Sequence, residues 1–264
     1  MTFKHIVLTA NILVSVHASA DLLSLESFPI AKCLDGSTYV RFAVCITLFV
    51  RNSIIHSFRA AYYFQKGSDG NNTWVFMLEG GGLCSHQDDC TQRSTTDLGS
   101  SKNFAKQIDL PSFQAQDSRS NPDWYNANQV FIPYCTGDVH GGTRTEPNEW
   151  GFYFSGHHVV SAVVEDLKKN KGLDAADLVI FSGDSAGGMG VITNVDFVAS
   201  QIPSAKVLGV PIGGFIFAHP NYVGDGAVIE SENARARDFE YDAELFQGFT
   251  SRPYVLSLSL SVFM

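Results

Sequence analysis

Residues 178–188 read Leu-Val-Ile-Phe-Ser-Gly-Asp-Ser-Ala-Gly-Gly. A short apolar run meets a Gly-x-Ser-x-Gly turn, and a helix-compatible stretch follows. The pattern is that of a nucleophile elbow, a tight strand-to-helix turn that pushes a serine into the open. Gly183 and Gly187 are required because a side chain at either position would collide where strand and helix close on each other. Ser185 is therefore the candidate nucleophile, and the rest of the chain must supply its partners.

Two earlier segments share the layout of the elbow strand. Residues 74–78 run into Glu79-Gly80-Gly81-Gly82, and residues 129–134 run into Cys135-Thr136-Gly137-Asp138. Each is a short apolar run ending in a glycine-containing loop, as expected of central parallel strands with functional loops at their carboxyl ends. Residues 157–169 place Val159, Val160, Val163, Val164 and Leu167 at helical spacing. Residues 186–200 form the helix after the elbow, stopped before Pro203. Residues 206–210 read as the next strand. The alternation predicts an α/β class with a doubly wound sheet of α/β-hydrolase type. Residues 91–102 are rich in Ser and Thr and read as a surface loop.

The chain has 264 residues, enough for one α/β domain with a sizeable core. Its net charge of −9 argues against a nucleic-acid partner and mildly against a strongly anionic polymer. Residues 1–20 read as a secretory signal peptide: Lys4, an apolar stretch over 6–16, then Ala18-Ser19-Ala20 as an A-x-A-like cleavage site. That stretch is too short for a membrane span. Residues 40–50 are also apolar but short, and Arg41 interrupts them. The remainder, 21–264, reads as one partial domain.

Five cysteines in a secreted chain suggest disulfides plus one odd thiol. Cys84 and Cys90 are close enough to close a small loop. Cys33 and Cys135 are available to tie the N-terminal segment to the sheet, which leaves Cys45. Asn71-Asn72-Thr73 is a glycosylation sequon. No metal-ligand spacing, Walker loop or dinucleotide fingerprint is present, so no metal or cofactor is expected.

Acyl transfer by serine needs a base, an acid that orients it, and N–H donors for the oxyanion. The donors are visible in the sequence. Ala186 directly follows the nucleophile, and Gly80-Gly81-Gly82 has the character of an oxyanion loop after an earlier strand.

A resemblance becomes legible from several motifs in the right order. They are Leu78-Glu79-Gly80-Gly81-Gly82-Leu83-Cys84, Cys90, Leu98-Gly99-Ser100-Ser101-Lys102, Asn121-Pro122-Asp123-Trp124-Tyr125-Asn126, Tyr134-Cys135-Thr136-Gly137-Asp138 and Gly183-Asp184-Ser185-Ala186-Gly187-Gly188. Together they resemble the pectin acetylesterase and Notum family of carboxylesterases. The resemblance implies a secreted α/β-hydrolase with a Ser-Asp-His triad. It implies Ser185 as nucleophile, Gly81, Gly82 and Ala186 as oxyanion donors, and the pairs Cys33–Cys135 and Cys84–Cys90. The implied substrate is an acylated polysaccharide, acetylated pectin first, with a Notum-like deacylase of a lipidated protein as the alternative. A non-catalytic binding relative or an inactive fragment is the third reading.

Two departures stand out. The motif Cys33-Leu34-Asp35-Gly36-Ser37 is separated from Ala61-Tyr62-Tyr63-Phe64 by about twenty residues that the family pattern lacks. Residues 38–59 are therefore an insertion or a retained intron. The second departure is at the end. In this fold the order is Ser, acid, His. His219 is the only histidine after Ser185, and Asp196 is the only carboxylate between them. Eleven residues along a helix put Asp196 roughly 16 Å from the elbow. Asp225 and Asp242 follow His219 and break the order. His86, His140, His157 and His158 precede the serine; the last two read as surface residues at a helix start. Residues 253–264 match nothing expected there. The expectation is a C-terminally truncated domain whose last strand forms an open edge.

Overall fold

In a computed structural model, residues 19–25, 27–37, 60–68 and 70–214 are described. The expected signal peptide (apart from its last two residues), the 38–59 insertion with Cys45, His219 and the 253–264 tail lie outside them.

Among the described residues seven strands form one mixed sheet: β1 (Ala20–Ser24), β2 (Ala61–Gln65), β3 (Thr73–Leu78), β4 (Gln107–Ile108), β5 (Asn128–Ile132), β6 (Leu178–Asp184) and β7 (Lys206–Ile212). Their order across the sheet is β4-β1-β2-β5-β3-β6-β7. The four on the right, β5, β3, β6 and β7, run parallel. β1, β2 and β4 extend the sheet as an antiparallel flank. The fold is thus α/β of the hydrolase kind. The three strands whose glycine-ended pattern stood out in the sequence are β5, β3 and β6, adjacent at its centre.

Among the described residues three α-helices accompany the strands: α1 (Gln87–Arg93), α2 (Gly156–Lys171) and α3 (Ala186–Gln201). The apolar positions of α2 recur at helical spacing, so Val159, Val160, Val163, Val164 and Leu167 fall on one buried stripe. Gly172, in the left-handed region at φ 82°, ends that helix, as a residue without a Cβ readily does. The stripe meets Phe76, Val130, Val179 and Phe181 of the strands and Val191 and Val198 of α3 in the main core. α3 covers only one side of β7. A Cβ at Gly209 would touch Val191 and Val195, whereas Leu208, Val210 and Ile212 are exposed. Among the described residues β7 is an edge of the sheet.

The surface-loop expectation for 91–102 holds for 94–98 and Lys102, which are exposed or half-exposed, but fails for the rest. Residues 91–93 complete α1, and Ser100 and Ser101 are buried. The Ser37 hydroxyl lies 3.2 Å and 3.3 Å from their hydroxyls and accepts the Ser101 N–H at 3.0 Å. These serines hold the Cys33–Ser37 turn to the loop after α1, so their polarity serves an internal contact.

Two disulfides tie this region down: Cys33–Cys135 and Cys84–Cys90. The first closes a loop with a sequence separation of 102 residues. Replacing both Cys33 and Cys135 by Ala should lower unfolding free energy by about 2–5 kcal/mol, because the unfolded chain regains that loop's freedom. Urea unfolding at equal protein concentration measures it. A loss below about 0.5 kcal/mol would contradict a stabilising role.

Candidate active site

β6 delivers Asp184 and Ser185 to the carboxyl edge of the sheet. Ser185 sits at φ 51°, ψ −114°, a conformation L-residues rarely adopt, and it is exposed. Its N–H donates to the Ile212 carbonyl at 2.8 Å, and its carbonyl accepts the Met189 N–H at 3.1 Å. The strained serine is therefore held from β7 on one side and from the first turn of α3 on the other.

The turn can close only with glycines. A Cβ on Gly183 would stand 2.4 Å from the Gly187 carbonyl oxygen, and one on Gly187 would stand 2.0 Å from that of Leu78. Backbone meets backbone at both places, so no side-chain adjustment relieves the clash. The reason given from sequence for these two residues holds in three dimensions.

The register of β3 and β6 pairs Leu78 with Gly183. The residues after Leu78 therefore lie level with the elbow. Gly80 donates its N–H to Asp184 Oδ1 at 3.0 Å, and a Cβ on Gly80 would meet the Asp184 backbone oxygen at 2.7 Å. Gly81 and Gly82 follow at φ 137° and 72°, both exposed. Neither donates its N–H to another described residue. Ala186 is the first residue of α3, so its N–H lies outside the intrahelical ladder. The chain thus brings Ser185, Ala186 and the Gly80–Gly82 loop to one place. It joins them through Asp184, whose role was not legible in the elbow motif.

Behind this loop is a buried polar assembly. Glu79 accepts the Tyr134 N–H at 2.8 Å, and burial pushes its carboxyl above the usual range. The Glu79 carbonyl lies 2.9 Å from His140 Nε2, so that nitrogen carries the proton and donates. The His140 ring stacks on Tyr134, with centroids 4.7 Å apart, and desolvation pushes its pKa down to about 4. Val139 and His140 both have positive φ, and the Val139 N–H donates to the Tyr134 hydroxyl at 2.7 Å.

Asp138 is fully buried, and desolvation raises its pKa. It accepts the Thr136 hydroxyl and, at 2.7 Å, the N–H of Gly156 that starts α2. A Cβ on Gly142 or Gly156 would run into its carboxylate. Asp138 is thus a loop-and-helix anchor with both oxygens engaged.

The other histidines divide. His86 stands at the start of α1, within the Cys84–Cys90 loop. His157 and His158 are half-buried, which corrects the surface reading. His157 Nδ1 is 2.7 Å from Asn194 Oδ1, and His158 Nε2 is 2.9 Å from the Thr143 carbonyl. Asp196 lies far along α3, as its spacing predicted. Among the described residues no cluster of metal-ligating side chains is present.

The sequence model of the Pectinacetylesterase family matches residues 57–235. The frog (Xenopus laevis) palmitoleoyl-protein carboxylesterase notum1 is 36% identical over 170 residues, which is 62% of this chain and 35% of that protein. Pectin acetylesterase 11 of Arabidopsis thaliana is 36% identical over 182 residues, 66% of this chain and 45% of that protein. The match therefore spans less than half the length of these relatives. The crystal structure of the Wnt deacylase Notum from Drosophila superposes with a TM-score of 0.69 at 28% identity, covering 87% of this chain and 61% of that one.

His140 links the site to stability. Its folded pKa, about 4, lies below the unfolded value near 6.5. The unfolded chain binds the extra proton in that window, so stability is present above pH 6.5 and lost as pH falls toward 4. Glu79 and Asp138, both raised, act in the opposite sense but are common to any His140 variant. Urea midpoints should fall more steeply between pH 6.5 and 4.5 in the native chain than in His140→Gln. Parallel slopes would exclude this role.

Proposed function

The chain belongs to the pectinacetylesterase family, and from that premise we propose that it supplies the nucleophile and oxyanion half of a secreted serine carboxylesterase. The observation that carries the reading is Ser185, exposed and strained at the head of α3, beside the Gly80–Gly82 loop of the neighbouring strand. Ser185 Oγ attacks the ester carbonyl carbon, and the carbonyl π electrons move onto oxygen. The N–H groups of Gly81, Gly82 and Ala186 receive that oxyanion. Collapse expels the alcohol and leaves an acyl-serine for water to hydrolyse. The serine proton goes to a base held by an acid; Asp196, the only carboxylate between Ser185 and His219, lies far along α3 and does not supply that acid. Two disulfides and the leader-like residues 1–20 fit an oxidising, extracellular setting.

The substrate proposed is an acetyl ester on a pectin-like polysaccharide. The likeness to the Wnt deacylase and to the palmitoleoyl-protein carboxylesterase supports a second reading, removal of a long acyl chain from a protein. A non-catalytic binder is the outcome if the serine proves inert.

A fluorophosphonate tests these readings without requiring turnover. Ser185 Oγ bonds to phosphorus, fluoride leaves, and the proton passes to solvent base. Mass spectrometry at pH 9 should find the adduct on Ser185 and none on the corresponding peptide of Ser185→Ala. An unlabelled Ser185 in folded protein sinks the carboxylesterase reading. If no base stands beside Ser185, the rate should rise about tenfold per pH unit from 7 to 9. A plateau with a midpoint near 6–7 would reveal a histidine base within these 264 residues. Faster labelling by a methyl than by a long-alkyl phosphonate supports the acetyl substrate, and the reverse supports the long-chain one.

A further inference from the structure

The Gly80–Gly82 loop is clamped peptide by peptide. The plane joining Glu79 to Gly80 is held at both ends, its carbonyl by His140 and its N–H by Asp184. The plane joining Gly81 to Gly82 is held at one end only. The Gly81 carbonyl accepts a hydrogen bond from Nη2 of Arg93, the last residue of α1. Nη1 of the same guanidinium reaches the Leu98 carbonyl at 3.4 Å, and its Cζ lies 5.5 Å from the centre of the Tyr134 ring.

Arg93 is itself well anchored. α1 is tied to the loop by the Cys84–Cys90 disulfide. The Arg93 carbonyl accepts the N–H and the hydroxyl of Thr96 at 2.9 Å and 2.8 Å. A Cβ on Gly99 would stand 2.4 Å from that carbonyl oxygen, so the chain after α1 turns back tightly over it.

In a trans peptide the carbonyl and the following N–H point in opposite directions. A cation that holds the Gly81 carbonyl therefore turns the Gly82 N–H away from Arg93. It also draws electron density toward the carbonyl oxygen, which makes the N–H a stronger donor. We propose that Arg93 is a positioning residue: through the Gly81–Gly82 peptide it orients and polarises the Gly82 N–H for the oxyanion formed on attack by Ser185. This rests on the oxyanion reading above. Arg93 touches neither the reacting carbon nor the nucleophile, so its effect passes through one peptide plane. Lysine can keep the charge but not the fork that spans Gly81 and Leu98.

The test compares phosphonylation of Ser185 in the 264-residue chain with that in Arg93→Met and Arg93→Lys, all at pH 9. Loss of one oxyanion donor costs about 10²–10³ in rate, so a misoriented donor in Arg93→Met should slow labelling at least about tenfold. Arg93→Lys should fall between Arg93→Met and the native chain. Two further readouts separate positioning from general damage. The Gly82 amide resonance in the free protein should shift upfield in Arg93→Met, as its peptide loses polarisation. The ³¹P resonance of the Ser185 adduct should move as the phosphoryl oxygen loses a donor. Urea midpoints check that both variants remain folded; if Arg93→Met does not, Arg93→Lys carries the comparison. Native rates with unmoved Gly82 and ³¹P signals in a folded variant overturn the positioning role and leave the esterase reading standing. A native chain whose Ser185 never labels overturns both.

Discussion

Everything at this site depends on how closely α3 approaches β3. A Cβ on Gly187 would sit 2.0 Å from the Leu78 carbonyl oxygen, so helix and strand backbones are already in contact. That contact forces the chain to reverse between β6 and α3 within a single residue, and the residue doing it is Ser185, at positive φ. A longer turn would relieve the serine but would withdraw it from the Gly80–Gly82 loop. The strain is held by bonds on both sides, from the Ile212 carbonyl and from the Met189 N–H.

The buried ionisable groups nearby are occupied with backbone. Asp138 receives the first N–H of α2, Glu79 receives the Tyr134 N–H, and His140 donates to the Glu79 carbonyl. Desolvation shifts the pKa of each, Asp138 and His140 being buried and Glu79 half-buried, and each is matched by a hydrogen bond that keeps its burial tolerable. A perturbed pKa beside a candidate nucleophile often marks a catalytic acid or base. Here the geometry speaks against that, since the polar atoms in question are spent on loop and helix starts. These groups act as the frame within which the glycine loop keeps its shape.

The two proposed substrates place the same demand on this arrangement. An acetyl group on a sugar and a long acyl chain on a protein would each present an ester carbonyl to Ser185 and to the proposed N–H donors. What separates them is the space around the acyl chain and the alcohol, which the nucleophile and oxyanion loop do not define.

The α/β class, the central strands, the two long helices and the candidate nucleophile are all legible in local sequence. Those signals are local: helical spacing in 157–169, apolar runs ending in glycine, and a Gly-x-Ser-x-Gly turn set between an apolar run and a helix-compatible stretch. The role of Asp184 was decided by tertiary structure, because its partner Gly80 lies 104 residues away and is set by the β3–β6 register. The same holds for Arg93, whose polar Ser/Thr-rich surroundings read as a solvated loop. Only the fold turns its guanidinium onto the Gly81 carbonyl. Burial of His140 and Asp138 was equally hidden, since exposure depends on which elements pack over a residue. Short-range pattern shows where a chain must turn, and long-range contact decides which polar groups meet at the turn.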